Sequence, residues 1–229
     1  MKPMPDRLVH VNRTPARRGW LEPCLIAVAL ASAGCSKPSA TTAIQPIQPD
    51  DLSLPLADFT LTERDGRTVK KADLKGKVWV ASFVFTRCSG PCPQVTASVA
   101  RLQSELAGEA DVRFVTFTVD PARDDPNELR KYAEIYRADK DRWLFLTGRE
   151  EDIRHLLIDS FKVHVTRNDK PKKAGEEYDH STRLVVVDKE GSIRGYYQGM
   201  ADPNRECSAD MLENDLKKLK DKVRALLDK

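Results

Sequence analysis

Val78-Trp79-Val80-Ala81-Ser82-Phe83-Val84-Phe85-Thr86-Arg87-Cys88-Ser89-Gly90-Pro91-Cys92-Pro93 decides the fold. Its first eight residues form a continuous β-branched and aromatic run, the pattern of a strand covered on both faces. A turn holding two cysteines follows at once. Past Pro93, residues Val95, Val99, Leu102 and Leu106 fall at helical spacing and give a helix that buries one stripe against the sheet. The cysteines therefore stand at the carboxyl end of a buried strand, where ligands bind in open α/β sheets.

Upstream, Phe59 to Thr62 alternates apolar and polar, Asp65-Gly66 makes a hairpin turn and Thr68-Val69 begins the return. Downstream, Val112 to Val119 is a second buried strand. Asp125-Pro126-Asn127-Glu128 supplies a cap, a proline at the first helical position and an acid three residues on, and Leu129, Tyr132 and Tyr136 continue the stripe. Trp143 to Leu146 is a third strand, with Trp79 and Trp143 expected in the core. Thr147 with Glu150 repeats the capping pattern before Ile153, Leu156, Leu157 and Phe161. Leu184 to Val187 and Ile193 to Tyr197 flank a Lys189-Glu190-Gly191 turn, and Leu212 to Leu226 gives a last amphipathic helix. Helices between strands predict an α/β three-layer sandwich: a central mixed sheet, parallel in its middle, helices on both faces, an N-terminal β-hairpin and a closing antiparallel one.

The chain has 229 residues, 40% hydrophobic and 32% charged, the balance of a globular protein. Residues 1–34 carry five basic and two acidic groups, which accounts for the whole net charge of +3 and leaves the remainder neutral. A neutral, mixed surface offers no field for phosphates, so nucleic acid is not an expected partner. Arg17-Arg18 precedes the apolar run Cys24 to Gly34, which is too short for a bilayer core needing about 20 residues. Residues 1–35 read as a signal peptide whose end, Leu30-Ala31-Ser32-Ala33-Gly34-Cys35, resembles a lipoprotein signal with Ser32 where leucine is usual. The expectation is an exported, membrane-anchored protein bearing lipid on Cys35, periplasmic or otherwise extracytoplasmic. Residues 36–55, with four prolines and no apolar periodicity, predict a tether, and residues 56–229 the folded domain.

Cys92 lies near the helix N-terminus, whose unpaired amides and dipole favour a thiolate, so low thiol pKa values are expected in this turn. Two such thiolates form a reversible disulfide or bind a soft metal ion. The domain offers His155, His164 and His180 as a third donor. His155 reads as a helix-surface residue and His164 as a solvated loop residue. His180, in Tyr178-Asp179-His180-Ser181-Thr182, sits before a strand in a loop able to fold back over the cysteine turn. It reads equally as structural or as the donor completing a soft three-coordinate site for Cu(I), tolerant also of Cu(II). Asp120 ends the Val112 to Val119 strand and reads as a turn residue or as one that hydrogen-bonds a ligand or tunes the site's charge; Asp179 is a similar case. Cys207 reads as unpaired and half-buried.

Phe85-Thr86-Arg87-Cys88-Ser89-Gly90-Pro91-Cys92-Pro93, then Thr118-Val119-Asp120-Pro121, then Tyr178-Asp179-His180-Ser181 before a valine-rich strand and Asp188, together resemble the Sco/SenC family of exported copper proteins. The resemblance covers about Leu54 to Leu227. It implies a thioredoxin-like fold and one copper ion per chain, held by Cys88, Cys92 and His180. It also implies a metallochaperone that delivers copper to the binuclear site of cytochrome c oxidase. The implied partner is the copper-receiving oxidase subunit or another periplasmic copper or thiol protein.

The alternative is a thiol:disulfide oxidoreductase that keeps partner cysteines reduced, with Cys88 attacking and Cys92 resolving as the redox-active pair. Such enzymes place a proline before the strand that here follows His180, and residues 179–183 contain none. Peroxide reduction wants Thr-x-x-Cys, whereas Thr86 stands two residues before Cys88. Structural zinc wants four ligands where three are offered.

Overall fold

The computed structural model describes residues 52–202 and 207–229. The expected signal peptide with Cys24 and Cys35, and most of the expected tether, lie outside the described residues. Within the tether, β1 (Leu54–Pro55) pairs with β10 (Ser192–Gln198), so the sheet begins two residues before the expected boundary at Leu56. Pro55 sits at the sheet edge, where its missing N–H costs no ladder bond.

One eight-stranded sheet runs in the order β1-β10-β9-β4-β5-β6-β2-β3. Its centre, β4 (Val78–Val84), β5 (Val112–Thr118) and β6 (Trp143–Thr147), is parallel; β9 (Arg183–Val187) and β10 close one side as an antiparallel hairpin. The opening hairpin β2 (Thr60–Glu63) and β3 (Thr68–Lys70) packs antiparallel against β6 on the other side. Continuous apolar runs make β4 and β6 buried throughout, as expected of strands covered on both faces.

On one face, Trp79, Phe83 and Phe117 meet Phe161 at ring distances of 6.1, 5.1 and 5.2 Å. On the other, Phe145 meets Tyr132 of α2 (Pro126–Ile135), whose hydroxyl bonds Thr96 of α1 (Cys92–Glu105). The last helix, α4 (Ala209–Leu227), lies beside α1 through the Arg101–Glu213 and Lys220–Glu105 ion pairs. Trp143 Nε1 donates to Thr116 Oγ1, which also bonds Ser82 Oγ, so the polar atoms between these strands are paired.

Asp125 caps α2 by accepting from Asn127 and Glu128 amides, as its sequence predicts. The Thr147–Glu150 box does not form: Thr147 ends β6, and α3 (Glu150–His155) starts after Arg149 without a side-chain cap. The chain then widens into a π-turn, Leu156–Ser160, which buries Leu156 and Leu157 and lets Ser160 Oγ accept from Ala57 N. A second sheet was not anticipated. It consists of β7 (Val165–Arg167) and β8 (Tyr178–His180), antiparallel, with Val165 opposite His180.

Candidate metal centre

β4 delivers the cysteine turn. Phe85 and Thr86 leave the strand, Cys88 N donates to Phe85 O at 3.1 Å, and α1 begins at Cys92 itself. Under the turn lies Asp124. Its carboxylate accepts from Thr86 N at 3.1 Å, Thr86 Oγ1 at 2.6 Å and Thr118 Oγ1 at 2.5 Å. Behind it, Thr96 Oγ1 donates to Cys92 O at 2.8 Å, fixing the first turn of α1.

β8 delivers the imidazole. His180 is buried, its ring centre 5.8 Å from that of Phe85 in an edge-to-face contact, and Phe85 also packs on Tyr178 with ring centres 5.5 Å apart. His180 Nδ1 lies 3.0 Å from Ser181 O, and a carbonyl can only accept, so Nδ1 carries the hydrogen. Nε2 is left with its lone pair directed at Cys92 Sγ, 3.2 Å away. Cys92 and His180, 88 positions apart in sequence, are thus in contact, and Cys88 stands close enough for each of them to influence its thiol. His180 lies at the end of a strand, not in the loop expected of it.

The thiols differ. Hydrogen bonding with Cys92, the largest cause, holds the Cys88 thiol well below its ordinary value, against the opposing effect of burial. Burial pushes Cys92 up, and the neighbouring Cys88 adds to the rise. The expectation that helix position would favour a thiolate at Cys92 is therefore corrected: with Cys92 at 0% exposure, desolvation outweighs the helix dipole. Cys88 is also buried but less deeply, with 9% of the residue exposed.

Two sulfurs and a neutral imidazole nitrogen are a soft donor set that suits Cu(I) and extends to Cu(II). Among the described residues, no three His, Cys, Asp or Glu side chains are spread around an ion-sized position. With bonds of about 2.3 Å to sulfur and 2.0 Å to nitrogen, two ligands of one ion stand about 3.5 Å apart. The observed 3.2 Å is a few tenths shorter.

Asp120 is buried, and its oxygens are engaged by Tyr178 Oη at 3.3 Å and Arg123 Nη1 at 2.9 Å, so it braces β8 near His180. Asp179 is exposed, with a carboxylate oxygen 3.8 Å from His164 Nε2. His155 is exposed and pairs with Asp159, and His164 bonds Thr166, both apart from the cysteines. Cys207 is buried rather than half-buried and lies 3.5 Å from Met200 O.

The centre opens into a cleft of about 830 Å³ lined by Cys88, Pro91, Gln94, His180 and Met200 among others. The segment between β7 and β8 folds onto its rim. There Gly175, at φ +92°, comes so close that a Cβ would stand 2.7 Å from both Arg87 O and Ser89 N. Sequence reading passed over Asp124, which looks like one more turn acid beside the Asp125 cap, and Gly175, which sits in a charged, structureless-looking stretch.

The SCO1/SenC family pattern matches residues 49–214. The chain belongs to the SCO1/SenC family. A SCO1 protein homolog of Bacillus subtilis is 36% identical over 153 residues, 66% of this chain and 77% of that protein. The structure of a SCO1/SenC family lipoprotein from Bacillus anthracis superposes with TM-score 0.60 at 36% identity, covering 73% of this chain and 95% of that one. BsSco, a member of the Sco family of cytochrome c oxidase assembly proteins in which a disulfide switch was identified, superposes with TM-score 0.60 at 32% identity, over 76% and 95%. The fold is thioredoxin-like, as the resemblance implies. Among the described residues, no helix of this SCO1/SenC protein is long and apolar enough to cross a membrane.

Proposed function

We propose that this SCO1/SenC protein is a copper carrier whose Cys88, Cys92 and His180 hold one ion, as Cu(I) or Cu(II), for transfer to the binuclear site of cytochrome c oxidase. The observation that supports it most is the approach of His180 Nε2, lone pair inward, to Cys92 Sγ, with Cys88 and His180 lining one cleft. Asp120, through Tyr178, steadies the strand that brings the imidazole; Asp179 lies at the rim with its carboxylate toward His164. The carrier is exported and anchored by lipid on Cys35, in keeping with the lipoprotein relative. Its partners are the copper-receiving oxidase subunit or another extracytoplasmic copper or thiol protein.

The unequal cysteines also favour a second reading, thiol:disulfide exchange. The Cys88 thiolate attacks a partner disulfide, forming a mixed disulfide and releasing one partner thiolate. Cys92, giving up its proton, then attacks Cys88 Sγ and releases the second thiolate. Two electrons pass to the partner and the chain keeps the Cys88–Cys92 disulfide.

A copper titration of the full reduced chain separates the two, read by absorbance and native mass. One Cu(I) per chain is expected, lost in Cys88→Ser and in Cys92→Ser. His180→Ala should weaken Cu(II) retention far more than it slows reduction of a model disulfide. Equal Cu(II) retention by wild type and His180→Ala would remove the histidine from the site and leave the dithiol reading.

A further inference from the structure

Where parallel strands β4 and β5 end, their last backbone and hydroxyl groups run out of ladder partners. Asp120 to Asp124 coils back across this gap, with Arg123 and Asp124 amides donating to Asp120 O at 3.0 and 2.9 Å. The coil drives the Asp124 side chain under the cysteine turn, where it is 1% exposed. There it accepts both donors of Thr86 and the hydroxyl of Thr118, joining the ends of the two strands. Burial raises its pKa from the ordinary carboxylate value, the cost of a charge taken from water with no cation bonded to it among the described residues. An apolar residue would close the sheet end without that cost. The acid is explained by what it holds, the residue from which the turn to Cys88 departs.

We propose that Asp124 is a positioning residue for the Cys88–Cys92 pair: by fixing Thr86 to Thr118 it sets how close, and how constantly, the two sulfurs face each other. The inference rests on the pair being the reactive centre, whether its duty is copper or disulfide exchange. Pre-positioning raises the effective concentration of one thiol for the other, which favours chelation and ring closure alike.

The test needs no metal. The full chain is equilibrated in glutathione buffers, and the Cys88–Cys92 disulfide is quantified by mass spectrometry of its peptides, at a temperature where each variant keeps the wild-type circular dichroism. Loss of hydrogen bonds to a charged group should lower the disulfide formation constant of Asp124→Ala about tenfold. Asp124→Asn, whose oxygen can still accept from Thr86 N and Thr118 Oγ1 while its amide donates to the Thr86 hydroxyl, should recover to within about threefold of wild type. Ser82→Ala breaks a buried hydroxyl pair between the same strands away from the turn, and should leave the constant within about twofold of wild type. Should Asp124→Ala fail to fold, Thr86→Val removes one donor only and should lower the constant about threefold. An Asp124→Ala or Thr86→Val constant indistinguishable from that of Ser82→Ala overturns the proposal. A chain that shows the Asp124 effect yet takes up no copper overturns the carrier reading and leaves this one standing.

Discussion

β4 lies mid-sheet, pairing residue for residue with β5 from Val78↔Val112 to Val84↔Thr118 and with β9 on its other side, and every one of its residues is buried. β8 pairs with β7 alone among the described strands, over three positions, with Asp179 exposed between Tyr178 and His180. The cysteine turn inherits its place from the sheet. The imidazole owes its place to individual contacts: Tyr178 with Asp120, the Phe85 edge, and Ser181 N with His164 O at 2.9 Å. Damage to the body should therefore cost stability, and damage to the hairpin should cost metal retention.

The sharpest way to break this contrast is Phe161→Ala. Its ring touches Trp79, Phe83 and Phe117, and its loss should cost about 3–5 kcal/mol in denaturant titration while the remaining folded fraction keeps one copper per chain. Retained stability would show that the hairpin side carries more of the fold than its pairing suggests.

Next in size is the cysteine asymmetry. Alkylation of Cys88 should follow a pH profile whose midpoint lies below the ordinary thiol value of about 8.5. Cys92→Ala, which removes the largest influence holding the Cys88 thiol down, should move that midpoint up. The sign carries into stability: with the folded value depressed, the thiolate's contribution is present above the unfolded value and fades as pH falls through the folded one. A profile centred on the ordinary value in both proteins would end the account of unequal sulfurs.

Tyr178→Phe should cost only about 0.5–1.5 kcal/mol of stability yet loosen the grip on copper, measured by competition with a chelator. Unchanged copper retention would mean Asp120 and Tyr178 brace the hairpin without steadying His180. Smallest of all, Asp179→Asn should stay within about 0.5 kcal/mol of wild type and leave copper uptake unaltered, as befits a solvent-facing side chain. A clear loss of copper would move Asp179 into the centre.

The same contrast governs what could be read from residue order. β4, β5 and β6 are legible because burial on both faces writes itself as unbroken apolar runs, and the cysteines follow directly. β7 and β8 are three residues each, separated by Asn168 to Glu177, a stretch of charges, one proline and one glycine with no alternation. Nothing local there signals a strand; its pairing depends on what Tyr178 and Gly175 meet across the fold. His180 was found through the motif around it. Asp124 was missed because its partners, Thr86 and Thr118, come from two strands whose ends meet only after the sheet has formed. Cys92 was assigned the wrong electrostatic character because helix position is visible in sequence and depth is not.

Gly175 carries one more consequence. Its backbone lies so tightly against Arg87 and Ser89 that any side chain added there would press on the cysteine turn itself. A change at this one position, which donates nothing to the centre, would therefore reach the sulfurs by displacing the backbone from which Cys88 hangs.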